Sequence, residues 1–402
     1  MDVETKDKKA TQVRFVDPGK NYEMIKSEID AVFVDVLSKG NLIMREELES
    51  FEKNLASFVG TKYAVGLGSG YDALLISSIA AGVGPGDEVI VPAHTFVATV
   101  SAVVNAGGTP ILVDVDKDYN INTGKIEEVI TEKTKAVLPV HLNGRMCDMK
   151  AIVAIAEKHN LAIIEDACQS LGASFKDKKA GSFGLAGCWS FYPFKILGGY
   201  GEGGAITTDD PEVARIASLY RYNGEDKETG AYHYHGASCL LDNLQAAFLD
   251  VKLRHLPDWI KRRQQIAGQY RNGLVGIEEL TLPHFEKMEK MGTGPISTYP
   301  ISKEEVNPPY SEDNRFVDVY QNYVIRTQNR DALFDYLKEN GVEPLVHWRI
   351  PYYRYKELNL EDRGFPETEA ICREVISLPM NVEITNEEVD YVVTCIRNFF
   401  KK

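Results

Sequence analysis

The chain has no CxxC pair and no zinc-ligand spacing among its six cysteines, Cys147, Cys168, Cys188, Cys239, Cys372 and Cys395. Six thiols in 402 residues are too sparse for a disulfide framework. Reduced thiols in a cytoplasmic protein are the expectation, and no metal site is expected. No run of four consecutive basic residues occurs, and the formal net charge is −14. A nucleic-acid binder would carry a basic patch, so that class is disfavoured. The longest apolar stretches are only strand length, so no transmembrane helix is expected. Met1 to Lys9 is charged and contains no apolar signal region; residues 1–12 read as a mobile tail. Internal repeats and low-complexity segments are also missing.

What remains is the composition of a soluble enzyme, 44% hydrophobic and 26% charged, at a length that suits two domains. From about residue 60 to 250 short apolar runs alternate with helical patterns, the signature of an α/β sheet. Expected strands are Tyr63–Leu67, Glu88–Pro92, Thr109–Asp114, Ala136–Val140, Leu161–Glu165, Gly187–Phe191 and Gly204–Thr208. Helical patterns cover Ala73–Ala81 and Met149–Lys158, and Leu244–Ala267 reads as a helix pair. Farther on, Tyr323–Arg326 is a strand, Asp331–Asn340 and Asn386–Phe400 are helices, and Asn307-Pro308-Pro309 marks a loop. The expected division is a large domain over 13–255 and a small α/β domain over 256–402.

Lys195 lies in Ser190-Phe191-Tyr192-Pro193-Phe194-Lys195, followed at once by Gly198-Gly199-Tyr200-Gly201-Glu202-Gly203-Gly204. A solitary lysine is normally a solvated charge. This one is flanked by aromatic and apolar residues, and desolvation frees an amine for Schiff-base chemistry. Upstream, Asp166 closes the run Leu161 to Glu165. It reads either as a helix cap or as a partner for a cofactor ring nitrogen. Lysine, serine, glycine turn and strand-end aspartate together are what a pyridoxal phosphate enzyme needs. Gly68-Ser69-Gly70-Tyr71 follows a strand and opens a helix, as a phosphate cradle does, although many such turns contain glycine. Phe96, after another strand, is a core residue or a lid over a flat ring at the sheet edge. Cys168 and Cys188 are packing residues. Gly199 to Gly204 matches G-x-G-x-x-G, but the residues after it read as a strand, which excludes a dinucleotide fingerprint.

These pieces resemble the DegT/StrS family of sugar aminotransferases, fold type I pyridoxal phosphate enzymes. The resemblance runs from about Lys39 to the C-terminus. It is carried by Phe51-Glu52 with Gly60, Ser69 to Leu74, Pro92 to Phe96, His141 with Gly144, Glu165-Asp166-Ala167, Ser190 to Gly204, Gln245-Ala246-Ala247 and Ser377 to Met380. It implies a large domain with a mostly parallel seven-stranded sheet and a smaller C-terminal domain. It makes Lys195 the cofactor-bearing lysine and proton shuttle, and Asp166 the partner of the pyridine nitrogen. Gln169 then lies near the cofactor O3′, Phe96 stacks on the ring, and Gly70, Tyr71 and Ser190 bind the phosphate.

Three departures stand out. Tyr71 replaces the usual threonine or serine, leaving its backbone amide to serve. Ser238 and Leu240 stand where relatives have the asparagine and arginine of G-x-N-x-R, whose asparagine reaches the neighbouring subunit's phosphate. Asn143 to Cys147 is unusual after His141. The implied function is conversion of a nucleotide-linked keto sugar to an amino sugar, with glutamate as donor, by a homodimer. His347, Arg349 and Arg221 are the candidate substrate residues. The rivals are a sugar dehydratase, whose branch has histidine where this chain has Lys195, and a non-catalytic cofactor-binding regulator.

Overall fold

A computed structural model describes residues 13–283 and 316–401. The anticipated tail over 1–12 and the loop around Asn307–Pro309 lie outside the described residues. Three helices come first, α1 (Pro18–Met24), α2 (Lys26–Lys39) and α3 (Glu46–Val59). The large sheet contains β1 (Tyr63–Leu67), β2 (Glu88–Pro92), β3 (Thr109–Val113), β4 (Thr134–Val137) and β5 (Ala162–Asp166). A small hairpin, β6 (Ser174–Phe175) with β7 (Lys178–Lys179), precedes its last two members, β8 (Ala186–Ser190) and β9 (Gly204–Thr208). The order across the seven strands is β1-β9-β8-β5-β4-β2-β3. Neighbours run parallel except at β9, which is antiparallel to both β1 and β8.

Parallel neighbours need crossovers: α5 (Val97–Asn105) joins β2 to β3 and α6 (Met149–His159) joins β4 to β5, while α4 (Gly70–Ala80) leads from the edge strand β1 to β2. The β8–β9 return needs none, so the lysine-bearing segment 191–203 is a loop. Helices cover both faces and split the interior into two cores. One holds Phe51, Trp189 and Phe191; the other holds Leu74, Val100 and Ile164. Burial on both faces is why the strands read as unbroken apolar runs. The fourth strand ends at Val137 rather than Val140, because Pro139 has no N–H to continue the ladder.

After α7 (Pro211–Tyr220), the expected helix pair is a single helix. The 32-residue α8 (Asn243–Leu274) runs through Pro257 without ending. Its buried face continues on both sides of the proline, with Leu253, Leu256, Trp259, Arg263 and Ile266 all inside. Packing outweighs the lost hydrogen bond. Leu249 and Leu256 pack with Phe51, whereas Ile266, Tyr270 and Leu274 enter the core of the C-terminal unit. Here β10 (Phe316–Val317) pairs back onto β6, and β11 (Tyr323–Arg326) pairs with β12 (Val375–Leu378). Helices α9 (Arg330–Glu339), α10 (Pro366–Glu374) and α11 (Asn386–Phe400) complete the unit. Val13 joins the same core and bridges to Val342. Among the described residues no helix is long and apolar enough to cross a membrane.

Two consecutive carboxylates end β5, and strand geometry sends them to opposite faces. Glu165 is fully buried. It accepts hydrogen bonds from His141 Nε2 at 3.0 Å and from the amides of Gly181, Phe183 and Gly184 at 2.9, 2.6 and 2.9 Å. His141 Nδ1 accepts the Cys147 N–H at 3.2 Å, so the ring proton sits on Nε2 and faces Glu165. Glu165 thus ties the 181–184 turn to the sheet. Glu165→Ala orphans these donors at about 1–3 kcal/mol each. Urea unfolding should show a stability loss of at least about 3 kcal/mol; a loss below about 1 kcal/mol would contradict this role.

Candidate active site

The carboxyl ends of the strands carry the site. Ser69 caps α4: its Oγ accepts the Asp72 N–H at 3.1 Å and donates to Asp72 Oδ2 at 2.7 Å. Gly70 opens the helix against β8. A Cβ there would lie 2.7 Å from Ser190 Cβ and 2.9 Å from Cys168 Sγ, so only glycine fits. First-turn amides have no intrahelical acceptor, and the N–H groups of Gly70 and Tyr71 are of that kind. With Ser190 beside Gly70, these are groups of the kind that bind an anion. The Tyr71 phenol turns away and accepts from Asn105 Nδ2 at 2.6 Å, which leaves only its amide at that helix start.

Asp166 is 6% exposed. Its Oδ2 accepts from Thr99 Oγ1 at 2.8 Å and its Oδ1 from the Cys168 N–H at 3.2 Å. Thr99 in turn bonds Thr95 at 2.8 Å. These two threonines were not singled out in the sequence. Thr95 lies before α5 and Thr99 in its first turn, and no spacing in the sequence links either to Asp166. Two donors leave an acceptor-rich carboxylate at the strand end, suited to hold a proton on a ring nitrogen.

Lys195 stands in the loop between β8 and β9, with its N–H donated to Tyr192 O at 2.8 Å. Among the described residues its ammonium has no hydrogen-bond or ion-pair partner. Its charge is felt by the Cys168 thiol and the His347 imidazole. Lys195, Asp166 and Gly70 are therefore all near Cys168. Burial and the Asp166 charge push that thiol up, so it stays protonated and acts as packing. Gln169 is buried, with Oε1 accepting the Asn143 N–H at 2.8 Å.

Phe96 is 54% exposed and stacks on Trp348, with centroids 6.3 Å apart and planes 26° apart. It is not a core phenylalanine. Trp348 also meets His94 edge-on at 5.2 Å. His347 Nδ1 lies 3.1 Å from Ser377 Oγ. Burial first, then the Lys195 charge, brings His347 down to about 4, so it is neutral at pH 7.

Three further expected residues have partners or surroundings of their own. Arg221 is buried and committed to Glu52 and to Gly66 O, tying α7 to α3 and β1. Arg349 is exposed, pairs with Asp331 and covers the Phe334 ring at 5.1 Å, on α9. Both cations are engaged by structural partners. Ser238 is exposed in a segment that bridges to Tyr222. The group brought together is Gly70, Tyr71, Asp166, Gln169, Ser190 and Lys195, with Phe96 and His347 at the rim. A glycine cradle that a Cβ would fill, first-turn amides and a doubly bonded carboxylate fit pyridoxal phosphate.

Comparison with known proteins agrees. The profile of the DegT/DnrJ/EryC1/StrS aminotransferase family matches residues 23–397. The chain is 36% identical to a UDP-2-acetamido-2-deoxy-3-oxo-D-glucuronate aminotransferase of Pseudomonas aeruginosa, covering 96% of this chain and 100% of that one. It is 37% identical to a "pleiotropic regulatory protein" of Geobacillus stearothermophilus, over 97% and 99% of the two chains. A crystal structure of NtdA from Bacillus subtilis with bound cofactor PMP superposes with a TM-score of 0.83 at 29% identity, covering 99% of this chain and 87% of the other. Sequence match and fold agree, and the chain belongs to the DegT/DnrJ/EryC1/StrS aminotransferase family.

Proposed function

We propose that this protein is a pyridoxal phosphate-dependent aminotransferase that converts a nucleotide-linked keto sugar to an amino sugar, with L-glutamate as donor. The observation that carries the reading is the convergence of Lys195 and Asp166 on the Gly70–Ser190 cradle. When bound, the cofactor supplies an electron sink for charge developed at the donor carbon. Asp166, oriented by Thr99 and the Cys168 amide, keeps a proton on the ring nitrogen. Lys195 forms the covalent attachment and, once released, acts in turn as general base and acid. Gly70, Tyr71 and Ser190 would hold the cofactor's phosphate, with Gln169 and Phe96 available to contact the rest of it. Among the expected substrate residues, neutral His347 is the one at the rim. It meets the sugar through hydrogen bonds rather than charge.

The name of the Geobacillus relative favours a second reading, a regulator that retains the cofactor scaffold. Turnover separates the two, since a regulator would hold the cofactor on Lys195 without amino transfer, and labelling tests the lysine both readings share. Borohydride should fix the cofactor on the peptide containing Lys195, and labelling of another lysine refutes the assignment. In the same preparation Asp166→Asn should keep the fold and lose about a hundredfold or more in turnover, ~2.7 kcal/mol of barrier. Near-normal turnover reassigns Asp166 to structure.

His347→Ala should slow the keto-sugar half-reaction and spare the glutamate half. Equal loss in both halves, or none, refutes sugar contact. Because the imidazole is held down to about 4, the sugar half should show no histidine inflection between about pH 5 and 8. The linked stability effect has a definite sign. The unfolded histidine binds a proton near pH 6.5 and the folded one only near about 4, so stability falls as pH drops through that window.

Homodimerisation in the cytoplasm completes the proposal. Ser238, exposed in the chain, then faces the partner's phosphate site. Light scattering should give twice the chain mass, and a fully active monomer excludes the arrangement.

A further inference from the structure

The backbone around Lys195 is held from two sides. Its own N–H goes to Tyr192 O at 2.8 Å. The polar groups flanking it, Phe194 C=O and Ile196 N–H, are both taken by one side chain. Gln321 Nε2 donates to Phe194 O at 2.9 Å, and Gln321 Oε1 accepts the Ile196 N–H at 2.7 Å. A parallel strand neighbour bonds the residues on either side of its partner in the same way. The amide orientation is fixed by the two bonds, since flipping it would set donor against donor and acceptor against acceptor. Gln321 is 8% exposed, so water does not replace these bonds cheaply.

Gln321 is itself anchored. Arg263 Nη1 donates to Tyr320 O at 3.0 Å, to Gln321 O at 3.4 Å and to Met380 O at 2.7 Å. On the other side Gly144, at φ +90°, allows the segment to approach; a Cβ there would lie 2.6 Å from Gln321 N. The next residue, Asn322, donates Nδ2 to Asn143 Oδ1 at 3.0 Å, and the Asn143 N–H reaches Gln169 at 2.8 Å. One short segment before β11 therefore holds Lys195 directly and Gln169 through Asn143.

Resting on the reading of Lys195 as the cofactor-bearing lysine, we infer that Gln321 is a positioning residue for it: the side-chain amide, acting as a strand neighbour, fixes the backbone on both sides of the lysine. Nζ must both attach to the cofactor and carry protons from one place. A 1 Å misplacement costs on the order of a hundredfold in rate.

Two variants test this in the full, cofactor-loaded chain. Gln321→Met keeps the volume and removes both bonds. In Gln321→Glu a protonated carboxyl can still donate to Phe194 O and accept from Ile196 N–H, whereas the ionised form cannot donate. The readouts are the pH midpoint of the visible absorbance of the lysine–cofactor linkage and the rates of the two half-reactions. Q321M should shift the midpoint and slow both halves roughly ten- to a hundredfold, with KM unchanged. Q321E should behave like the wild type at the acid end and approach Q321M as pH rises. A folded Q321M with the wild-type midpoint and rates overturns the inference. If Q321M does not fold, Q321E decides: a profile parallel to the wild type at every pH overturns it. Borohydride labelling of the wild type checks the premise separately, since label on a different lysine removes the premise without reference to Gln321.

Discussion

The site depends on one close approach, that of the α4 N-terminus to the ends of β8 and β9. Two glycines permit it. A Cβ on Gly70 would strike Ser190 and Cys168, and one on Gly204 would lie 2.2 Å from the Ser69 carbonyl carbon. Side chains at either position would push the helix off the sheet. With the helix seated, its first turn lies against Ser190. The antiparallel return of β9 then leaves the Lys195 loop above the same edge. The α4 N-terminus, Lys195 and Asp166 thus share one register set by backbone contact.

Around that edge the protein divides its charges. Glu165 faces inward and is spent on backbone amides and His141. Asp166 faces the site and keeps only two donors, one a hydroxyl and one an amide. The neighbouring histidines are neutral, His94 brought down to about 3 and His347 to about 4, chiefly by burial. The chain carries a formal charge of −14, yet the local field at the site comes from Lys195 and helix-start amides.

Much of this was legible in the sequence because the informative residues are local. Ser69-Gly70-Tyr71, Glu165-Asp166 and Ser190 to Lys195 each lie at a strand end, and each is a contiguous pattern. β1, β2 and β9 begin and end where the apolar runs do. The supporting residues were not legible. Thr99 meets Asp166 from 67 positions away, and Gln321 meets Ile196 from 125. No spacing rule reports such contacts. The partners of Arg221 and Arg349, Glu52 and Asp331, were not legible for the same reason: a cation's partner is set by tertiary packing. The proline in α8 suggested a break, but a buried face continuous across Pro257 decided otherwise.

The central claim is that this site moves an amino group between a donor and a sugar. The most direct measurement follows the visible absorbance of the purified, cofactor-loaded protein as glutamate is added, and then as a nucleotide-linked keto sugar is added. The account predicts that the yellow absorbance is lost with the donor and restored by the keto sugar. A spectrum unchanged by glutamate and by every other amino donor would contradict it and leave a scaffold that binds the cofactor without catalysis.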